Sequence, residues 1–113
     1  MSKEFKPFLE HILKEIAYLE KHSKQPLEFE AFLKDETLKR SFVRSLEIIG
    51  EAVKNISIEF RKKHLKIDWK KIAGMRDILI HQYFGVDYKS VWDIVKHNIP
   101  ELKKQVKRIT NKS

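Results

Sequence analysis

The chain contains no cysteine, so a disulfide framework and a thiolate metal site are both excluded. Only three glycines and three prolines interrupt its 113 residues, too few to punctuate a protein built from many short strands. No apolar run approaches the roughly 18 residues that a membrane-spanning helix needs, which argues against a membrane protein. The first residues, MSKEFKPFLEHILKEI, carry charge throughout their apolar pattern and lack a small-residue cleavage site. They do not read as a signal peptide, and a cytoplasmic location is expected. The five histidines (His11, His22, His64, His81 and His97) show no paired spacing on one helical face, so no metal site is expected.

What is present is helical periodicity. The length suits one domain over residues 1–113, and 42% of the residues are hydrophobic. Nearly every long segment repeats its apolar residues at helical intervals and no strand alternation competes, so an all-α, single-domain antiparallel helical bundle of about five helices is expected. Phe5, Leu9, Ile12, Ile16 and Leu19 form the core stripe of a first helix. After Pro26, a short helical piece is expected at Phe29, Phe32 and Leu33, followed by Asp35 or Thr37 as the cap of the longest helix. That helix is expected to carry Leu38, Phe42, Leu46, Ile49, Val53, Ile56 and Phe60 on its inner side. Asp68 is placed to cap a helix that runs through Trp69, Ile72 and Leu79 and stops near Gly85, with Gly74 marking a close backbone approach. Asp87 is placed to cap the next helix, with Tyr88, Val91, Trp92 and Val95 facing inward. A break at Asn98 and Pro100 then precedes a last helix through Leu102, Val106 and Ile109, with Asn98 and Glu101 approximating a capping box.

The charge is lopsided. Lysine and arginine number 24 against 16 acidic residues, a net charge of +8, with basic clusters at 61–64, 70–71 and 103–108. Such a surplus favours polyanionic partners through counterion release and steering, although lysine-rich helices are often only solvated faces. On the long helix Arg40, Arg44, Glu47 and Glu51 step by four, three and four, away from the apolar face. This stripe is either a solvated face laced with weak ion pairs or, because Val43 and Ile48 flank it, a surface that packs against a partner.

The segment RDILIHQYFGVD speaks most directly about chemistry. It places Arg76, His81 and Tyr83 in an R-x4-H-x-Y spacing, with Asp77 directly after the arginine, in a stretch that reads as helix. Arginine supplies a permanent, planar cation suited to phosphate, histidine exchanges protons near neutral pH, and tyrosine offers a modifiable hydroxyl. On an ideal helix Arg76 and Tyr83 share a face while His81 lies roughly 140° round from Arg76, so all three cannot converge on one point. Either the helix opens before Gly85, or two copies facing each other across a two-fold axis assemble the site. Helical spacing also makes Asp77 and His81 i,i+4 neighbours, which would let the carboxylate orient the imidazole and favour its protonated form.

The spacing resembles the signature of the HEPN superfamily and, with the tyrosine, the HepT-like toxin branch. The likeness extends through RSLEIIGEAVKNI (44–56), RDILIHQYFGVD (76–87) and VWDIVKHNIPELKKQV (91–106). The resemblance implies a HEPN-like helical domain and a toxin ribonuclease that cuts RNA without a metal, at a homodimeric site. Arg76 and His81 would be catalytic, Asp77 orienting, and Arg44, Glu47 and Glu51 near the dimer cleft. Cleavage would require no cofactor. The family's regulation further implies an MntA-type nucleotidyltransferase antitoxin that transfers AMP from ATP onto Tyr83. Two other readings stay open on the residues alone: a non-catalytic helical partner that binds nucleotide or substrate for a nucleotidyltransferase, and a plain nucleic-acid-binding bundle.

Overall fold

In the computed structural model of the chain, residues 5–75, 77, 80–81 and 85–111 are described, with 80–81 through their backbone only. The order is α1 (Lys6–Ser23), α2 (Phe29–Lys34), α3 (Glu36–Lys54), α4 (Ile58–Lys62), α5 (Trp69–Ala73), a strand pair β1 (Ile80–His81) and β2 (Gly85–Val86), α6 (Tyr88–Asp93), a π-helical stretch (Ile94–Asn98), and α7 (Ile99–Asn111). The expected all-α bundle is therefore present.

Helices α1 and α3 pack antiparallel, as two polar links between them show. Ser45 Oγ donates to Glu15 Oε1 at 2.8 Å, and Tyr18 OH donates to Ser41 Oγ at 2.7 Å, so advancing along α1 means retreating along α3. The same logic sets α7 and the π-helical stretch against α1: Lys103 lies 2.9 Å from Glu20, and Lys96 Nζ donates to the Ser23 carbonyl at 3.0 Å. Lys96 thereby covers one of the orphan carbonyls that every helix leaves at its C-terminus. Between these elements the apolar stripes meet: Leu9, Ile12, Ile16 and Leu19 from α1, Phe42, Leu46, Ile49 and Val53 from α3, and Leu102, Val106 and Ile109 from α7 are all buried. Phe32 of α2 closes the side of the core, its ring 5.1 Å from Phe42 and 5.2 Å from Trp92.

The caps fall largely where side-chain chemistry puts them. Of the two candidates before α3, Asp35 accepts from the Leu38 N–H at 2.9 Å. Asp68 caps α5 through the Lys71 N–H, and Asp87 caps α6 through the N–H and hydroxyl of Ser90.

Four expectations are corrected. The long helix does not continue to Phe60: it ends at Lys54, and Ser57 caps a separate short helix by accepting from the Phe60 N–H. Arg61 secures the break, its guanidinium donating to the carbonyls of Val53 and Ile56 at the end of α3. Asn98 and Pro100 do not form a break. The helix widens to π geometry over Ile94–Asn98, with the Ile99 N–H bonded to the Ile94 carbonyl, and runs on into α7. A wider turn relieves the clash between a proline ring and the carbonyl four residues back. Close backbone approach occurs at Gly50 rather than Gly74. A Cβ at Gly50 would lie 3.1 Å from the Ile72 carbonyl oxygen of α5, whereas one at Gly74 would meet nothing nearer than 3.4 Å. Finally, the helix begun at Asp68 does not run to Gly85. Helix α5 ends at Ala73, Met75 and Asp77 are again helical, and Ile80 and His81 are extended.

Candidate functional site: a histidine-bearing hairpin beside the α3–α5 seam

The motif begins two residues beyond Gly74, so the packing of α5 on α3 sets where it starts. Gly50 lets the α5 backbone come within contact of α3, and Ile72 and Met75 are buried at the same side. Trp69 anchors the other end of α5, its ring buried and its Nε1–H donating to the His64 carbonyl at 2.9 Å. Past α5, Ile80 pairs with Val86 and His81 with Gly85 in an antiparallel ladder. Gly85 has φ of +78°, a left-handed conformation that costs any L side chain on the order of 1 kcal/mol or more, so it closes the hairpin instead of ending a helix. The position opposite His81 in the ladder thus carries no side chain.

Arg76 and Tyr83 lie outside the described residues, as does the side chain of His81. The backbone of His81 belongs to β1. Asp77 is exposed, and its N–H donates to the Gly74 carbonyl at 3.0 Å. Because residues 80–81 are extended, the same-face relation of Arg76 with Tyr83 and the i,i+4 relation of Asp77 with His81 do not apply: both require an unbroken helix. Of the two geometric alternatives raised by the spacing, the helix does open before Gly85.

On α3, Arg44 is exposed, Glu47 is half-buried, and Glu51 is exposed and sits 3.5 Å from Lys54. Arg40 reaches Glu36 at 4.0 Å. Val43, one of the two apolar neighbours of this stripe, is buried within the domain itself, which leaves Ile48 as the half-buried one. Among the described residues no group of three or more His, Asp or Glu is placed to hold a metal ion, and no helix is long and apolar enough to cross a membrane.

Two positioning residues were not legible in the motif string. Gly50 carries no chemistry, and only the α5 carbonyl beside it gives it meaning. Arg61 reads as one more cation in a basic cluster until its bonds to the end of α3 are seen; its position just after an apolar stripe was the available signal.

Comparison with known proteins places the chain by sequence. The family model described as "Ribonuclease HepT-like" matches residues 12–109. A protein of Caldanaerobacter subterraneus subsp. tengcongensis named "Putative RNase" is 59% identical over 107 residues, covering 95% of each chain. A "Probable ribonuclease HepT" of Thermococcus cleftensis is 42% identical over 109 residues, 96% of this chain and 98% of the relative. In Methanocaldococcus jannaschii, a "Gamma-glutamylcyclotransferase and putative RNase" is 45% identical over 109 residues, so this chain spans 49% of that longer protein. No solved structure matches significantly. With the family model spanning nearly the whole helical domain, the chain belongs to the Ribonuclease HepT-like family.

Proposed function

We propose that the protein is a metal-independent endoribonuclease, the toxin of a toxin–antitoxin pair, whose chemistry rests on Arg76 and His81. The observation that carries this reading is the R-x4-H-x-Y spacing in a segment that leaves the helical frame, within a chain of the Ribonuclease HepT-like family. RNA brings its own nucleophile. An imidazole takes the proton of the 2′-hydroxyl, the 2′-oxygen bonds to phosphorus, and the P–O5′ bond breaks as an imidazolium gives a proton to the departing oxygen. The products are a 2′,3′-cyclic phosphate and a 5′-hydroxyl. Arg76 holds the phosphate through its guanidinium fork, which suits the charge that develops on the equatorial oxygens. Asp77, whose exposed carboxylate lies four residues ahead of His81 in the chain, is the supporting group of this reading, placed by the turn from helix to strand and not by an i,i+4 helical contact.

One histidine cannot be base and acid in the same step, and the motif contains only one. A homodimer that brings two copies of the motif to one cleft supplies both, with the α3 stripe of Arg44, Glu47 and Glu51 beside it. Tyr83 is the regulatory residue. A nucleotidyltransferase antitoxin of the MntA type transfers AMP from ATP to its hydroxyl: the phenolic oxygen bonds to the α-phosphorus, pyrophosphate leaves, and the phenolic proton passes to solvent. The added phosphodiester places bulk and negative charge seven residues from the arginine that should hold substrate.

Incubating purified protein with RNA in EDTA, and analysing the ends, tests the nuclease. Cyclic phosphate ends from RNA and no cutting of DNA are expected, whereas activity abolished by EDTA would overturn the mechanism. For the regulation, Tyr83→Phe should cut RNA nearly as well as wild type yet escape adenylylation. An adduct elsewhere, or a Tyr83→Phe protein still silenced by AMP transfer, would refute that half alone.

A further inference from the structure

Three basic clusters far apart in the sequence converge on one face of the fold. Lys63 and Lys66 from the loop after α4, Lys71 of α5, and Arg108 of α7 line two adjoining depressions, of about 340 and 220 Å3, that share Lys66 and Gln105. Gln105 joins the two sides, its Nε2 donating to the Lys66 carbonyl at 2.8 Å. None of these four cations is in an ion pair among the described residues, whereas Lys6, Lys39, Lys54, Lys89 and Lys103 elsewhere are each paired with a carboxylate. Two carboxylates border the larger depression, Asp68 and Glu101, and Asp68 is already engaged as the cap of α5.

The larger depression has a different floor. Ile72, Met75, Ile99 and Leu102 present apolar surface there, and the π-helical turn brings His97 and Asn98 to its rim. A widened turn of this kind projects side chains that a regular helix would place elsewhere, and such turns recur at functional sites. An apolar floor with an amide and an imidazole at the rim, opening into a row of uncompensated cations, matches an unstacked base followed by its sugar–phosphate chain.

We infer that this face is a track for single-stranded RNA: one base seats in the cleft between α5 and α7, and the following phosphates run over Lys66 toward Lys63 and Arg108. The track rests on the ribonuclease reading for its biological sense, since Met75 on its floor immediately precedes Arg76 in the chain. Its binding is separable from cleavage. The track extends the substrate contact well beyond the scissile phosphate, as His97 and Arg108 are about 16 Å apart along the helix.

The test measures binding of a labelled single-stranded oligoribonucleotide to the full chain carrying His81→Ala, so that no cutting intervenes. Adding Lys66→Gln, Lys71→Gln and Arg108→Gln should lower affinity on the order of a hundredfold at 0.1 M salt and flatten the log–log salt dependence by about 0.7 per cation removed. A triple set of equal charge change outside the track, Lys6→Gln, Lys14→Gln and Lys89→Gln, should change affinity by less than about threefold. An oligonucleotide made abasic throughout should bind about fivefold more weakly or worse, the scale of one lost base contact. Equal losses from both triple sets, no loss from the track set, or full affinity for abasic RNA would overturn the proposal. If wild-type protein fails to cut RNA while the track set still loses binding, the nuclease reading falls and the track stands; the reverse pattern removes the track alone.

Discussion

Helix α3 and the motif segment at 76–87 carry comparable helical signals, yet they fold differently. Helix α3 has a capping aspartate, an apolar residue every three or four positions, and helices α1, α2, α5 and α6 packed against it, so its stripe of Phe42, Leu46, Ile49 and Val53 is buried without remainder. The motif segment only follows the short helix that Asp68 caps, and its apolar residues fall in a run, Ile78, Leu79 and Ile80, followed by a glycine at 85. Consecutive aliphatics with β-branched members satisfy a strand as well as a helix, and a glycine with positive φ closes a hairpin. There the chain becomes extended at Ile80–His81. Periodicity fixes structure where a partner exists to bury the stripe. Where the run is ambiguous, local backbone chemistry decides, and that is where the histidine sits.

The comparison implies that α3 substitutions act on stability and hairpin substitutions on chemistry. The largest effect on folding should come from Phe42→Ala, because its ring is fully buried against Phe32; a loss of about 3–5 kcal/mol is expected. Chemical denaturation measures it, and a loss under 1 kcal/mol would mean that α3 is not the centre of the frame. Gly50→Leu is next. The Ile72 carbonyl stands where its Cβ would go, so overpacking of about 1–3 kcal/mol is expected together with a displaced α5 and weakened RNA cleavage. If the variant is stable and fully active, the α3–α5 seam does not position the motif. Gly85→Ala should cost less, roughly 1–2 kcal/mol from its left-handed backbone, because open space surrounds the glycine. Its effect on cleavage should exceed its effect on the melting temperature, the reverse of the order expected for Phe42→Ala.

The smallest effect concerns pH. The Glu36 carboxyl is held below the ordinary glutamate range, first by the hydrogen bond from Lys39 and then by the charges of Lys39 and Arg40. A group whose folded pKa is depressed contributes stability above its unfolded pKa and loses it as pH falls through the folded value. Glu36→Gln should therefore lower the melting temperature slightly at neutral pH and leave it unchanged in acid. Because the carboxylate is 67% exposed, water screens most of the interaction. A variant that melts as wild type at all pH values would show that Lys39 is held by its contact 4.6 Å above the Tyr88 ring alone.

Much of the bundle was legible because stripes and caps are local signals. The spacing of Leu9, Ile12, Ile16 and Leu19, and the caps Asp35, Asp68 and Asp87, needed no knowledge of the partner helix. The end of α3 was not legible, because Ile56 and Phe60 continue its stripe while the stop is made by Ser57 and by Arg61 reaching back. The π-helical stretch escaped for a related reason: Pro100 forbids a regular turn, and a widened helix answers that constraint as well as a break does. At the candidate site, the residue types were plain and their geometry was not. A helical wheel placed Arg76 with Tyr83, whereas the ladder register of His81 with Gly85 depends on a residue four positions later. The basic track was visible only as three separate clusters, since nothing local says that 61–66, 71 and 108 share a face.

The most direct test of the account pairs two readings on one variant. Wild type and His81→Ala are compared for RNA cleavage in EDTA and for thermal unfolding under the same conditions. The account predicts a melting temperature within a few degrees of wild type and a cleavage rate lower by about 10²- to 10⁴-fold, the usual contribution of a positioned acid–base group. A folded His81→Ala protein that cuts RNA at the wild-type rate would contradict it.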